Sequence, residues 1–432
     1  MSAMASRAAT WTLGAGNGAA SAAGLLLRPI QLGMAFPWVL YLAAMTVFLF
    51  RPPDLDLHNI DRIAFALLVL FVGLRTLAAR DRLPFFPSIS LPMLGLIFLA
   101  VWRAVREPFD ARTWSLVASK FLVPFVLMHV AILVFSDHRK QRYFYTFILF
   151  VLAYLMFISI AFLADAKGLV FPRFILDDGL GLHADRARGP FLQAVANGVS
   201  LNMLGILALV GAHRHRKLVL LLWVLLPFAI LATMTRAVWI SFALSTVALA
   251  IRLGDRCLRR ACVAAAIAGL AALLVTGATN SSWTTAVRER TGERGPVEAR
   301  IAVYEAGWAM FMEHPLSGWT GGQMYEELAR RMEGYHLHSY YVHNTYLSLL
   351  VEFGLPGFLL YCFLLVSLFR LARAGYGDGA QHGAVSNLRK AWPILLAVFL
   401  INACFVDMVY QFVNGLMFTV AGILCVSRQR RA

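Results

Sequence analysis

Residues 143–164 read YFYTFILFVLAYLMFISIAFLA and contain no charged side chain, although Arg142 precedes them and Asp165 follows them. A helix that crosses the hydrocarbon core of a bilayer needs about 20 mostly apolar residues in succession. The segment is therefore predicted to be a transmembrane helix. Similar uncharged runs recur along the chain, and together they predict an all-α polytopic membrane protein.

The overall composition agrees with this fold class. Hydrophobic residues make up 60% of the 432 residues, charged residues only 14%, and the mean hydropathy is +0.69. Soluble domains are typically about 45–50% apolar and about 25% charged. The composition therefore excludes a water-soluble enzyme and a disordered protein. The five cysteines are an odd number and lie mostly in apolar runs, so no disulfide framework is predicted.

Twelve segments are long and apolar enough to be predicted as membrane spans. They are approximately residues 31–50, 63–79, 88–105, 114–135, 143–164, 191–212, 218–234, 237–252, 261–277, 345–369, 391–410 and 412–427. The seventh and eighth are separated only by a tight turn at Thr235-Arg236, and the last two are nearly continuous.

These spans divide the chain into four predicted parts. Residues 1–30, rich in Ala, Gly and Ser, form a flexible cytoplasmic tail without the apolar core and cleavage site of a signal peptide. Residues 31–277 hold transmembrane helices 1–9, and residues 278–344 form a large periplasmic loop. Residues 345–432 hold helices 10–12 and a short cytoplasmic tail.

The large loop is predicted to contain two short amphipathic helices. The first runs from Glu298 to Met312, and it has four apolar residues at helical spacing on one face: Ile301, Tyr304, Trp308 and Phe311. Pro315 and Gly318 end it, and a second helix covers residues 324–333. Both helices are expected to lie along the membrane surface.

Basic residues indicate the orientation of the chain. Clusters such as residues 139–142, 252–260 and 428–431 fall on one side of the predicted bundle, together with both termini. Cytoplasmic loops carry the excess of Lys and Arg, so this side is predicted to be cytoplasmic. The net charge of +16 therefore reports topology first and does not require a nucleic-acid partner.

The opposite side carries an unusual number of basic residues, and all but Lys167 are arginine. These are Arg51, Arg62, Arg103, Arg106, Arg112, Arg173, Arg186, Arg188, Arg236, Arg288, Arg290, Arg294, Arg300, Arg330 and Arg331. Guanidinium groups bind phosphate and pyrophosphate through paired hydrogen bonds, which suggests an outer site for an anionic lipid head group. Alternatively, these residues are arginine and not lysine only because the whole sequence prefers arginine.

The segment 343–354, HNTYLSLLVEFG, carries the strongest local signal for chemistry. His343 lies at the outer mouth of the tenth predicted span. A neutral imidazole with a pKa near about 6.5 can accept a proton from a hydroxyl group, so His343 is a candidate general base. The alternative is a histidine that only hydrogen-bonds at the start of the helix.

Other residues allow weaker predictions. His336, His338 and His343 have no matching carboxylate or cysteine spacing, and Asp177-Asp178 reads as a solvated turn, so neither a metal site nor a cofactor is predicted. Arg236 sits at a tight hairpin, where a charge needs a partner or access to the surface. The intramembrane charges Lys120 and Asp407 also need partners, and they keep a transporter hypothesis open.

The chain resembles the bacterial O-antigen ligase and O-antigen polymerase superfamily. Besides twelve spans and a large outer loop before the tenth, the similar features are RGPF at 188–191, Thr235-Arg236, EAR at 298–300 leading into HPLSG at 314–318, and His343-Asn344 with Gly354 eleven positions on. The specific resemblance covers about residues 165–365.

The resemblance implies a metal-independent, inverting glycosyl transfer from an undecaprenyl pyrophosphate carrier to the lipid A–core oligosaccharide, at the periplasmic face of the bacterial inner membrane. By position, His343 matches the family's essential histidine, and Arg236 and Arg300 match its essential arginines. Arg294 is an alternative to Arg300. The substrate-binding candidates are Arg186, Arg188, Arg294, Asn344 and Tyr346. No cofactor is implied, and the partners are the lipid-linked glycan, the lipid A–core acceptor and membrane lipids.

Three rival functions remain at the level of sequence. A polymerase would lengthen the glycan on its carrier with nearly the same chemistry, and Arg330 with Gly334 has a spacing associated with polymerases. A protein-glycosylating oligosaccharyltransferase of the same superfamily is a further alternative. A lipid-linked glycan transporter would carry out no chemistry at all.

Overall fold

A computed structural model describes residues 31–50, 59–181, 183–211, 215–253, 256–278, 295–332, 341–372 and 384–429. Throughout these ranges the regular structure is helical, and no strand occurs in them. The first thirty residues, predicted as a tail, lie outside the described part of the chain, as do residues 279–294 and 333–340 of the predicted large loop.

The helices follow one another in short succession. They are α1 (Pro37–Leu49), α2 (Ile60–Ala79), α3 (Pro87–Arg106), α4 (Ala111–Val117), α5 (Val123–Val134), α6 (His138–Leu163), α7 (Ala194–Gly211), α8 (Arg216–Ala232), α9 (Arg236–Arg252), α10 (Arg256–Ala278), α11 (Gly295–Glu313), α12 (Gly321–Arg331), α13 (Thr345–Arg370), α14 (Ala384–Ala403) and α15 (Gln411–Gln429). A π-helical turn, Ala118–Leu122, joins α4 to α5.

A helix lies at each predicted span, and the protein has the helices of a membrane protein. Within the described ranges, six helical stretches are long and apolar enough to cross a bilayer: Ile60–Ala79, Pro87–Arg106, Thr113–Val134, His138–Leu163, Ala194–Gly211 and Thr345–Arg370. Helices α8 and α9 have 17 residues each, at the lower limit of about 17 for a span. The count of twelve spans therefore stays a prediction.

Two helices differ from the predicted spans for local reasons. The predicted span 191–212 begins as a helix only at Ala194, because a 3-10 turn over Gly189–Phe191 comes first. The predicted span 391–410 ends as a helix at Ala403, so residues 404–410 form a non-helical link, the α14–α15 link. The Thr345 hydroxyl stabilises that link by donating to the Val406 carbonyl at 2.9 Å and accepting from the Met408 amide at 3.0 Å.

The apolar core is centred on α7. Nearly every residue of this helix is buried, and it packs against α6, α8 and α14. A buried Trp223 on α8 donates its indole N–H to the Gly205 carbonyl of α7 at 2.9 Å, which satisfies the polar atom of a large core side chain. A second, smaller cluster of buried apolar residues joins α11 and α12 to the first half of α13.

Helix α11 does not have the single apolar face that its sequence predicted. Ile301 and Trp308 are exposed, whereas Phe311 is buried with Val303 and Met310 against α13. The helix therefore has two apolar faces because one of them packs on the protein itself. The other face is the one available to lie along a membrane surface.

A sharp kink in α13 fixes α11 in place. Gly354 has φ +63° and ψ −168° inside the helix, which frees neighbouring backbone groups from the helical pattern. The segment after α11 uses them, since the Trp319 amide donates to the Val351 carbonyl and the Leu355 amide donates to the Pro315 carbonyl, both at 2.7 Å. Gly354 and the HPLSG segment at 314–318, two of the features that resemble the superfamily, thus contact each other in the structure.

Gly354 cannot be replaced without strain. An added Cβ would lie 2.7 Å from the Leu316 carbonyl oxygen, on a backbone with positive φ. We expect Gly354→Ala to destabilise the fold by about 1–3 kcal/mol, the usual cost of forcing a side chain into such a conformation. Thermal unfolding of the purified protein in detergent should show the loss.

Gly73→Ala in α2 is the matched control, because an added Cβ there meets nothing within 4 Å. It should unfold at the temperature of the unaltered protein or above it. Equal unfolding temperatures for the Gly354→Ala and Gly73→Ala proteins would show that the kink does not hold α11 in place.

Candidate functional site

His343 occupies a constrained position directly before α13. Its φ is +51°, in the left-handed region that few side chains other than glycine adopt. The next residue, Asn344, caps α13, since its side-chain oxygen accepts from the Tyr346 amide at 2.9 Å and from the Leu347 amide at 3.2 Å. The cap fixes the backbone that carries the imidazole, so its direction is set by the start of the helix.

Helix α11 brings Arg300 and Tyr304 to the same place. The Tyr304 hydroxyl donates to the Cys404 carbonyl at 3.0 Å and lies 3.5 Å from the His343 carbonyl oxygen. The Arg300 guanidinium lies over the Phe405 ring, 5.8 Å from its centre. Three segments distant in sequence therefore meet here: α11, the residues before α13 and the α14–α15 link.

The surroundings of His343 favour the neutral imidazole. Burial lowers the pKa of His343 below its ordinary value, and the positive charge of Arg300 lowers this pKa further. The Asp407 carboxylate acts in the opposite direction, with a smaller effect. A neutral imidazole can accept a proton, which a protonated one cannot, so these surroundings suit a general base.

Arg236 lies at the same end of the helix bundle, as the first residue of α9. Ser241, further along α9, accepts a hydrogen bond from the side chain of Asn402 in the last turn of α14, at 2.9 Å. Asn402 in turn lies just before the link residue Phe405 that contacts Arg300. Helix α14 thus connects the half-buried Arg236 to the segment next to His343.

Arg186 belongs to a loop that packs beside the turn between α8 and α9. The Ala187 amide donates to the Ala232 carbonyl at 3.0 Å, which fixes the loop on the last turn of α8. Arg186 itself is buried and lies 3.5 Å from the Asp185 carboxylate. The loop therefore brings Arg186 to the end of the bundle where α9 starts with Arg236.

Arg188 is only 1% exposed, and its guanidinium is used inside the same loop. It donates to the carbonyl oxygens of Ile175 at 2.9 Å, Leu180 at 2.5 Å and Asp177. Three loop carbonyls are thus gathered around one side chain. This geometry indicates that Arg188 holds the loop in shape.

Tyr346 and the acidic turn also have structural partners. The Tyr346 hydroxyl donates to the Leu400 carbonyl of α14 at 3.1 Å, which ties α13 to α14. Asp177 forms the predicted turn, because its side chain accepts from the Gly179 amide at 2.9 Å. Arg294, His336 and His338 lie outside the described residues. Within the described ranges, no group of three His, Cys, Asp or Glu side chains could hold a metal ion.

Some residues of this site were not predicted from the sequence. The sequence predicted Tyr304 only as part of an apolar helix face and Phe405 only as part of a membrane span, so neither was identified as a site residue. Lys120 and Asp407 could be noticed in the sequence, since an intramembrane charge needs a partner. The structure pairs them with each other, with 2.8 Å between the ammonium nitrogen and Asp407 Oδ2.

A comparison with protein families supports the resemblance. Residues 219–362, about a third of the chain, match the family model described as O-antigen ligase. This range includes Arg236, Arg300 and His343, together with the Gly354 kink. It excludes Arg186, Lys120 and Asp407. No curated protein matches the chain.

Proposed function

We propose that the protein is an O-antigen ligase, on the premise that residues 219–362 belong to the O-antigen ligase and polymerase superfamily. The proposed reaction transfers an assembled glycan from undecaprenyl pyrophosphate to a sugar of the lipid A–core oligosaccharide. It is an inverting glycosyl transfer without a metal ion or a cofactor. The protein is accordingly proposed to be a glycosyltransferase.

The observation that carries the proposal is the position of His343 and Arg300 where α11, the residues before α13 and the α14–α15 link meet. A neutral imidazole and a guanidinium lie within electrostatic reach of each other, at the end of the bundle where α13 begins. Glycosyl transfer from a lipid diphosphate needs both functions, because one group must accept a proton and another must stabilise a leaving anion. A transporter without chemistry has no need for a base held in the neutral form.

The proposed step involves two bonds at one carbon. The acceptor hydroxyl oxygen attacks the anomeric carbon of the glycan while the bond from that carbon to the diphosphate oxygen breaks. The hydroxyl proton passes to the imidazole of His343. The electron pair of the broken bond stays on the departing diphosphate, where Arg300 and Arg236 stabilise the added charge.

The remaining candidates take supporting roles in the proposal. Arg186 contributes positive charge beside Arg236, at the loop that packs on α8. Arg188 shapes that loop through its three carbonyl contacts and does not itself bind the diphosphate. Asn344 holds His343 through its helix cap, and Tyr346 ties α13 to α14.

The proposal includes a topology. Twelve spans cross the inner membrane with both termini in the cytoplasm, as the distribution of basic residues indicates. Helices α11 and α12 then belong to the large periplasmic loop, and the site opens to the periplasm. A site in the periplasm suits this donor, because cleavage of its glycan–diphosphate bond drives the transfer and the reaction needs no nucleotide.

Gel analysis of lipopolysaccharide from a deletion strain tests the function. Loss of every O-antigen-bearing lipid A–core band, with restoration by the intact gene, is the expected result, because no other step attaches the glycan. A surviving band with a single repeat unit would instead identify a polymerase. An unchanged band pattern would contradict both activities.

A further inference from the structure

A buried ionic cluster lies beside the proposed site and has no part in the chemistry described so far. The Lys120 ammonium lies 2.8 Å from Asp407 Oδ2 and 3.4 Å from Glu352 Oε2. These side chains are 6%, 8% and 15% exposed, respectively. The Ser348 hydroxyl also donates to Asp407 Oδ2, at 3.2 Å. Charges buried to this degree are costly unless they are paired, so the arrangement needs a reason.

The backbone around the cluster is built to bring its charges together. Lys120 is part of the π-helical turn between α4 and α5, a distortion that is frequent at functional positions. Asn414 of α15 donates to the Ser119 carbonyl at 3.2 Å and to the Met408 carbonyl at 2.8 Å. It thus joins the residue before Lys120 to the residue after Asp407.

The charges of the cluster balance. Arg103 of α3 interacts electrostatically with Glu352 and also with Glu107 at the end of α3, while its guanidinium donates to the Trp319 carbonyl at 2.8 Å. Among the four side chains that we define as the cluster, two are cations, Lys120 and Arg103, and two are carboxylates, Asp407 and Glu352. Within this arrangement Lys120 is the close partner of Asp407, and Arg103 is a partner of Glu352.

Asp407 connects the cluster to His343. Its neighbours Val406 and Met408 are both hydrogen-bonded to the Thr345 hydroxyl, two residues after the imidazole. Asp407 Oδ1 is buried and has no hydrogen-bond partner among the described residues. The negative charge of Asp407 is therefore compensated chiefly by Lys120 through Oδ2, and what remains uncompensated acts on His343.

We propose that Lys120 is a positioning residue for His343, because its ammonium holds and neutralises the Asp407 carboxylate beside that imidazole. The proposal rests on the proposed function, in which His343 is the base. Lys120 acts at a distance and touches neither substrate nor the reacting atoms. Without the Lys120 charge, Asp407 would favour the protonated form of His343, and a protonated imidazole cannot act as the base.

The direction of this effect follows from the groups that face His343. Arg300 and Tyr304 approach from α11, Asp407 comes from the α14–α15 link, and Tyr341 lies on its own segment. Arg300 opposes protonation of the imidazole and Asp407 favours it. Loss of the Lys120 charge therefore strengthens the Asp407 effect and leaves that of Arg300 unchanged.

Two double variants separate this role from simple charge balance. Lys120→Met with Glu352→Gln leaves Arg103 and a charged Asp407, whereas Lys120→Met with Asp407→Asn leaves Arg103 and a charged Glu352. Both pairs keep the formal charge of the cluster at zero and remove the same lysine. Only the first leaves an uncompensated carboxylate beside His343.

The measurement is the pKa of His343 itself. Diethyl pyrocarbonate modifies neutral imidazoles, so its reaction with the intact detergent-purified protein is followed against pH by mass spectrometry of the peptide that contains His343. We expect the Lys120→Met/Glu352→Gln protein to have a His343 pKa about one unit above that of the unaltered protein. The Lys120→Met/Asp407→Asn protein should have a value at or below the unaltered one.

Equal pKa values of His343 in the two double variants would overturn the proposal, since a purely structural lysine would affect both alike. Lys120→Arg, which keeps the charge, should leave the pKa unchanged. Asp407→Asn alone keeps Lys120 and should lower the pKa, which supplies a second test should a double variant fail to fold. The titration needs no glycan substrate, so its outcome stays separate from that of the ligase proposal.

Discussion

Replacing His343 with alanine is expected to lower the rate of glycan transfer about 10²–10⁴-fold, the usual contribution of a general base. The imidazole lies beside Arg300 in surroundings that keep it neutral, and alanine offers no proton acceptor in its place. The Asn344 cap of α13 does not involve the imidazole, so the variant should fold and express normally. Initial rates with purified protein, a polyprenyl diphosphate-linked glycan and lipid A–core measure the loss.

His138→Ala provides the matched control for that experiment. His138 is exposed in the first turn of α6 and should be replaceable without loss of rate. A His343→Ala protein that turns over at the rate of the His138→Ala protein would remove the base from the proposed mechanism. Loss of expression in the His343→Ala protein alone would instead assign the residue to folding.

Arg300→Ala is expected to have two separable effects. Loss of a preorganised positive charge from the leaving diphosphate should reduce the rate about 10²–10³-fold. It should also change the pH dependence, because Arg300 lowers the pKa of His343. In the proposed mechanism the neutral imidazole is the active form, so activity should be lost as the pH falls through this pKa. In the unaltered protein that loss should lie below about pH 6.5, and in the variant it should move to higher pH.

The ratio kcat/KM measured against pH tests both effects together. Arg330→Ala is the control, since Arg330 is an exposed arginine whose guanidinium is paired with Glu327 at 2.7 Å. The Arg330→Ala protein should keep both the rate and the pH profile. A lower rate for Arg300→Ala with an unshifted acidic limb would show that the guanidinium does not act on His343.

The helices could be predicted from the sequence because hydropathy acts locally. A run such as residues 143–164 has no other low-energy state in a membrane than a helix, and α6 covers it. The residues at which helices begin and end were harder to predict, since they depend on contacts with residues distant in sequence. Helix α14 stops at Ala403 because Thr345, far away in sequence, supplies hydrogen bonds to the following link. No local pattern reports such a contact.

The candidate site was predictable only in part. His343 could be singled out because an imidazole at the outer mouth of a predicted span is placed to accept a proton from a hydroxyl group. Tyr304 gave no such signal, because its role depends on the kink at Gly354, which positions α11 against α13. Lys120 and Asp407 were visible as costly charges, but which residue paired with which depended on packing between helices that sequence periodicity does not encode.

Analysis of the products formed by the purified, unaltered protein tests the central claim most directly. The protein is incubated with a polyprenyl diphosphate-linked glycan and lipid A–core in the presence of EDTA and without nucleotide. Mass spectrometry should find the glycan on lipid A–core and an equal amount of glycan-free polyprenyl diphosphate. Glycan that stays on its carrier, or grows longer there while lipid A–core remains bare, would contradict the claim that this chain is a ligase.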